Sequence, residues 1–227
     1  MDFNNHTRFV LNLPGGEELW VTETTINTWI VGAVLLFFAL IIRFKARKFN
    51  EKPSGFQNAV EAVVEMMDNY VKSSMSEKYY KFGYWFFGVM AFIMAANLSG
   101  LVGLRPPTAD LATTGAFAII TFLTIHVSGI VTRPKKYLKG YFEPFPIFFP
   151  INLIGEIATP VSLGFRLLCN ILLGFMIMGL IYSMFPWFLK LGIPAVLHVY
   201  FDIFAGCLQA FIFVTLSMTF IREKLAD

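Results

Sequence analysis

The chain has 227 residues, of which 56% are hydrophobic, 26 are phenylalanine and only 15% are charged, where a soluble domain carries about 25%. That balance excludes a soluble globular enzyme and marks a polytopic membrane protein. A formal net charge of +3, confined to short loops, reports topology rather than nucleic-acid binding.

Residues 1–27 carry Asp2, Glu17, Glu18 and Glu23 without an apolar core, so no cleavable signal peptide is expected. Residues 28–46 form the first span, closed by Arg43, Lys45, Arg47, Lys48 and Lys52. The positive-inside rule assigns that end to the cytoplasm and the acidic N-terminus to the outside. Over 54–75, Phe56, Val60, Val63, Met67, Tyr70 and Val71 follow a helical stripe, with Glu61, Glu65, Asp68, Asn69 and Lys72 opposite. This segment is too polar to span and reads as an amphipathic helix on the cytoplasmic surface, with a soluble linker helix as the alternative. Residues 80–104 cross outward and Pro106 and Pro107 turn the external loop. Residues 111–132 then return to Arg133, Lys135, Lys136 and Lys139. His126 lies in that span, and a lone histidine there fits hydrogen-bonded packing, so no role is assigned to it.

The span 151–185 organises the rest. From Ser162 to Met184, Arg166 is the only charged side chain. An arginine at the centre of a spanning helix costs about 2.5–3.5 kcal/mol on insertion scales, and it cannot shed its proton. Its guanidinium must face a partner or a water-filled cavity, which makes it a candidate site; snorkelling or a structural ion pair is the alternative. A helix over 151–185 would be about 52 Å long against ~30 Å of hydrocarbon. Ordinary tilt of ~20° cannot absorb that excess, so strong tilt is expected, with a break near Pro160 as the alternative. A turn at 187–194 leads into the last span, 195–221, which ends at Arg222 and Lys224. The result is five crossings with every basic cluster on one side. Cys169 and Cys207 both lie in apolar segments, which points to inert buried thiols rather than a disulfide.

Because the last two helices are antiparallel, residues whose numbers add up to about 378 share a depth. Gln209 then falls near Arg166 as a hydrogen-bonding neighbour, Cys207 near Cys169, and Asp202 opposite Gly174 and Phe175. Glu156 lies about 15 Å from Arg166 along the axis, toward the cytoplasm. One permanent cation with an acid toward each side of the membrane suggests two aqueous pockets that do not connect. The alternative is a buried salt-bridge network that only orients the helices.

The stretches PVSLGFRLLCNILLG, 160–174, and LQAFIF, 208–213, resemble subunit a of the F-type ATP synthase membrane sector. That family's pattern is S-L-x-x-R-L-x-G-N, followed on the last helix by x-Q-A-F-x-F. Ser162, Leu163, Arg166, Leu167, Asn170, Gln209, Ala210, Phe211 and Phe213 match it. PTAD, 107–110, with Thr113 or Thr114, is similar to the family's loop between its middle helices, and INLIGE, 151–156, to its asparagine-then-glutamate lead-in.

The resemblance implies an all-α polytopic fold of five transmembrane helices plus one amphipathic surface helix, the last two forming a long, strongly tilted hairpin. It implies that the hairpin lies against an oligomeric c-ring of small subunits, each carrying one carboxylate. Peripheral-stalk subunit b and the rest of the synthase are the further partners, in a bacterial inner membrane. Arg166 would attract a ring carboxylate that has lost its ion and release it when an ion arrives through a half-channel. Asn170 and Gln209 would orient the guanidinium or line the water path, Glu156 would belong to the cytoplasmic path, and Asp202 with His198 to the outer one. No cofactor and no ATP chemistry are implied for this chain, and the coupling ion, H+ or Na+, stays open. The family usually has glycine where Cys169 stands, an acid or histidine at Phe175, and glutamate or histidine at Asp202. Competing classes are a transporter or channel binding an anion at Arg166, and a purely structural subunit. The absence of an internal repeat argues against the first, and neither accounts for the match at Gln209. No phosphate loop or metal-spaced His/Cys cluster is present.

Overall fold

The computed structural model describes residues 7–12, 18–47, 49, 55–75, 79, 82–142, 145–186 and 192–225. Five helices are long and apolar enough to cross a membrane: Glu23–Ala46, Phe82–Val102, Leu111–Thr132, Pro146–Met184 and Ile193–Leu225. With a surface helix between the first two, this is the expected all-α polytopic architecture. Asp2, Glu17, Lys48, Lys52 and most of the turn 187–194 lie outside the described residues.

One feature was not expected. Strands β1, Thr7–Asn12, and β2, Glu18–Thr22, pair antiparallel as a hairpin that feeds straight into the first helix. Each strand has the β-branched and aromatic residues such a pair needs, but is too short to stand out from sequence periodicity. Helix α1, Glu23–Ala46, therefore starts before residue 28. Its polar first turns are held by tertiary hydrogen bonds: Thr24 Oγ1 donates to Asp110 Oδ2 at 2.8 Å and Asn27 Nδ2 to the Arg105 carbonyl at 3.0 Å. Glu23 in the first turn and Arg43 and Lys45 in the last complement the helix dipole.

Helix α2, Gly55–Met75, docks on the bundle by its C-terminal half. Met67, Val71 and Met75 enter the core, and Tyr70 Oη lies 2.5 Å from Thr215 Oγ1. Its N-terminal half leaves Phe56, Val63, Val64 and Met66 exposed, so only part of the expected stripe packs against protein. Lys45 lies over the Phe56 ring, and Arg222 donates to the Ser74 carbonyl. These contacts tie the C-terminal end of α1 to the start of α2, and the end of α2 to the basic end of the last helix.

Helix α3, Phe82–Leu98, tightens into a 3-10 turn, Ser99–Val102, and stops at Gly103, whose φ of 78° is left-handed. Asp110 caps α4, Leu111–Thr132, through its Oδ1 and the Ala112 N–H. Arg133, out of the helical region before Pro134 (φ −148°, ψ 71°), ends it, and the short α5, Pro134–Gly140, follows. Helix α6, Phe149–Met184, has 36 residues, about 54 Å at 1.5 Å per residue. Pro160 lies inside it and is buried. It supplies no N–H to the Glu156 carbonyl, yet the helix continues, so the break considered near Pro160 does not occur.

The last helix is not uniform. α7, Ile193–His198, passes through a π-helical stretch, Val199–Ala205, into α8, Gly206–Leu225. α8 is the central element: Ala210, Phe213, Val214, Met218 and Ile221 pack with Phe86 and Ile93 of α3, Ile125 of α4 and Leu167 of α6. At its start, a Cβ on Gly206 would lie 2.9 Å from Asn97 Cβ, a separation no side chain tolerates. Asn97 Nδ2 donates to the Gly206 carbonyl at 2.9 Å, and Asn97 Oδ1 accepts from Thr108 Oγ1 at 2.8 Å, all buried. The expectation of two buried thiols fails in part. Both cysteines are free, but Cys169 is exposed on the face of α6 that it shares with Arg166, and Cys207 is intermediate.

Replacing Asn97 with alanine removes both buried bonds and leaves the buried Thr108 hydroxyl without that partner. Leaving buried polar groups unsatisfied costs about 1–3 kcal/mol each, so Asn97→Ala should lower the apparent Tm of the detergent-purified protein clearly. An unchanged melting curve would contradict the bonding described.

Candidate functional site

Cavities among the described residues open along α6. At the end carrying the 103–110 loop, a cavity of about 630 Å3 is lined by Asn170, Gly174, Phe175, His198, Phe201, Asp202, Gly100, Arg105 and Glu23, among others. At the basic end, one of about 730 Å3 is lined by His126, Arg133, Tyr137, Tyr141, Asn152, Glu156, Glu223 and Lys224. Between them, a shallower one of about 270 Å3 holds Arg166 with Ala158, Thr159, Ser162, Leu163, Leu216 and Phe220.

In the first cavity, His198 Nδ1 and Asp202 Oδ2 lie 2.6 Å apart, one helical turn from each other. Asp202 belongs to the π-helical stretch, where the wider winding re-aims side chains, a device often found at functional sites. Gly100 faces it: a Cβ there would meet the Asp202 carboxyl at 3.7 Å. Phe175 lines the same cavity, so the apolar residue stands beside the acid, as the depth arithmetic required.

In the second cavity, Glu156 forms an ion pair with Lys224. Next to it, His126 Nδ1 lies 2.5 Å from Tyr137 Oη, which lies 2.5 Å from Tyr141 Oη, and the Tyr141 carbonyl accepts from Asn152 Nδ2 at 3.0 Å. Burial pushes the Tyr141 hydroxyl well above its ordinary range, and its bond to Tyr137 and the nearby Glu156 charge add to the effect. It stays protonated through the physiological range.

Arg166 is exposed on α6. Among the described residues neither acid pairs with it, because Glu156 is taken by Lys224 and Asp202 by His198. The salt-bridge network considered from sequence is thus not formed. Nor is the expected Arg166–Gln209 hydrogen bond. Gln209 is 6% exposed, and its Nε2 has no partner among the described residues. It sits on the buried stripe of α8 beside Ala210 and Phe213, whereas Arg166 sits on the open side of α6. The antiparallel register itself agrees with the arithmetic: Glu156 meets Lys224 and Gly174 faces Phe201. That same arithmetic could have picked out Lys224 as the neighbour of Glu156. His126 and Tyr137 could not be placed this way, since α4 and α5 lie outside the hairpin.

A family model described as ATP synthase A chain matches residues 25–222. The chain belongs to that family. Among its relatives is the Propionigenium modestum protein named "ATP synthase subunit a, sodium ion specific", 31% identical over 91% of this chain and 75% of that protein. The Moorella thermoacetica subunit a is 30% identical over 89% of this chain and 90% of its own length. That of Trichlorobacter lovleyi is 34% identical over 90% and 88%. As an ATP synthase A chain, this is a multi-pass membrane subunit of an F-type ATP synthase, engaged in ion transport coupled to ATP synthesis.

The contact between the two long helices of this A chain can be trapped. A Cβ at Gly174 lies 3.6 Å from Phe201 Cβ, within the range of about 3.5–4.5 Å seen in disulfides. Gly174→Cys combined with Phe201→Cys should crosslink rapidly under mild oxidation. Efficient crosslinking of Gly174→Cys with a cysteine one turn away on the last helix, and not with position 201, would show a different register.

Proposed function

We propose that this chain is the ion-translocating stator subunit of the synthase, with two offset half-channels separated by Arg166. The observation that supports the reading is the placement of Arg166, exposed and unpaired by either acid, between two cavities near opposite ends of α6, each holding one of the acids. Around it, Val161, Phe165, Leu173, Met176 and Leu180 of α6 are also exposed. An apolar face with one permanent cation suits a membrane-embedded partner that offers a carboxylate, namely the c-ring. Arg166 binds a ring carboxylate only while that group is ionised, so an ion cannot pass straight across and must ride the ring. Asp202, His198 and Asn170 serve the outer path and Glu156 the cytoplasmic one. Gln209, buried with an unsatisfied amide, stands near enough in depth to meet Arg166 or water once the ring is in place.

The N-terminus lies outside and the C-terminus in the cytoplasm of a bacterial inner membrane, with subunit b as the further stator partner. The unbroken α6, longer than the ~30 Å hydrocarbon core, is strongly tilted along the ring. The sodium-specific relative makes Na+ as admissible a coupling ion as H+.

Arg166→Ala should reduce ion-driven ATP synthesis in membrane vesicles to background while the complex still assembles. Arg166→Lys should fail as well, because a compact ammonium lacks the planar fork and can lose its proton when desolvated. Substantial synthesis by either variant rules the assignment out.

Asp202→Asn keeps the shape and removes the charge that attracts cations. Synthesis per assembled complex should fall about tenfold, the factor for losing ~1.4 kcal/mol of charge-assisted interaction. Asp202→Glu should retain much of it, and an acid or histidine at Phe175 should partly restore the Asn variant because both positions line one cavity. Near-normal activity of Asp202→Asn would remove it from the path.

A further inference from the structure

We infer that Lys224 is a tethered cation that occupies Glu156 within the basic-end cavity, so that a transported ion must displace its ammonium to use that carboxylate. The inference rests on the reading of Glu156 as a group of the cytoplasmic path.

Lys224 lies in the last turn of α8 and reaches across the cavity to the Glu156 carboxylate, with the two side chains only 23% and 21% exposed. Its position is built by several elements. A Cβ on Gly129 of α4 would lie 3.5 Å from the Lys224 Cβ and 2.7 Å from the Tyr137 ring. Glycine there leaves room for the tyrosine ring, with the lysine stem in ordinary contact beside it. The Lys224 ammonium stands 5.9 Å from the Tyr137 ring centroid, within reach of cation–π attraction. That ring is held in turn by His126 and Tyr141.

The pairing differs from a plain structural tie in where it sits. It lies inside a cavity of about 730 Å3, with Arg133 and Glu223 also on its wall, rather than in packed protein. Lysine suits a gate better than arginine does: it is a compact charge on a flexible stem, without the fork that locks a bidentate pair. A proton arriving at Glu156 cancels the charge that holds the ammonium, and a sodium ion competes for the same oxygens. In both cases the lysine swings away and the path opens. When the ion has left, the ammonium returns. No bond is made or broken other than a proton on a carboxylate.

The test is passive ion flux through the assembled membrane sector in vesicles, after removal of the catalytic sector. Proton flux under an imposed potential is measured, and sodium flux in parallel, per assembled complex. Lys224→Met should raise the flux of the coupling ion about fivefold, the factor that corresponds to a part-buried pair of ~1 kcal/mol. Lys224→Arg, which keeps the charge, should not raise it. In a Glu156→Gln background, Lys224→Met should produce no further rise, because nothing is left to unmask. An unchanged or lower flux in Lys224→Met, or the same rise with Glu156→Gln, overturns the inference. So does a loss of assembled complex in both Lys224→Met and Lys224→Gln but not Lys224→Arg, which would make the pair a structural tie. A wild-type flux in Glu156→Gln alone would instead refute the role of Glu156.

Discussion

The structure depends on how closely its helices can approach where no hydrophobic force drives them together. Lipid is as apolar as leucine, so packing and interhelical hydrogen bonds must hold a membrane bundle. Here α8 meets α3 at Gly206, where a Cβ would stand 2.9 Å from Asn97 Cβ, and α6 meets α4 at Gly164, where one would stand 3.0 Å from Ala118 Cβ. The Asn97 amide then ties the Gly206 carbonyl to the Thr108 hydroxyl. Those contacts set the height of the last helix, and with it the heights of Asp202, Gln209 and Lys224.

Height matters because an unpaired charge is costly in this environment. Among the described residues of the α6–α8 hairpin, Asp202 has His198 and Glu156 has Lys224 as a nitrogen partner within reach. Arg166 has none and lies on the side of α6 that the bundle leaves open. Two of the hairpin's acids are thus occupied within the chain while its central cation is not. That arrangement suits the carboxylate-bearing partner proposed above.

The π-helical stretch Val199–Ala205 and the proline inside α6 are two irregularities among the described residues of the long hairpin. They differ in consequence. Pro160 leaves one carbonyl without its helical partner yet the helix continues, since a single missing bond is offset by the packing around a buried ring. The π-helical winding shifts the register of what precedes it relative to α8, and it brings Asp202 against Gly100 and beside His198.

Much of this was legible in the sequence. Five long apolar runs, the basic clusters at their ends, and one arginine inside an apolar stretch follow from composition and spacing, because a bilayer imposes length and polarity on any segment crossing it. The motifs around Arg166 and Gln209 carried the family. The antiparallel register was also legible, since a short turn between two helices leaves one free number. What only the tertiary structure decided is what each polar group faces. Gln209 turned out to be buried with its Nε2 unpaired among the described residues, Arg166 outward, and Glu156 bound to Lys224 instead of standing free. Rotation of a helix about its axis is set by neighbours from distant parts of the chain: α3 and α4 for α8, α4 for α6. That rotation has no signature in the periodicity of a helix that is apolar nearly all the way round, and it decides whether a charge meets a partner, a cavity or an open face.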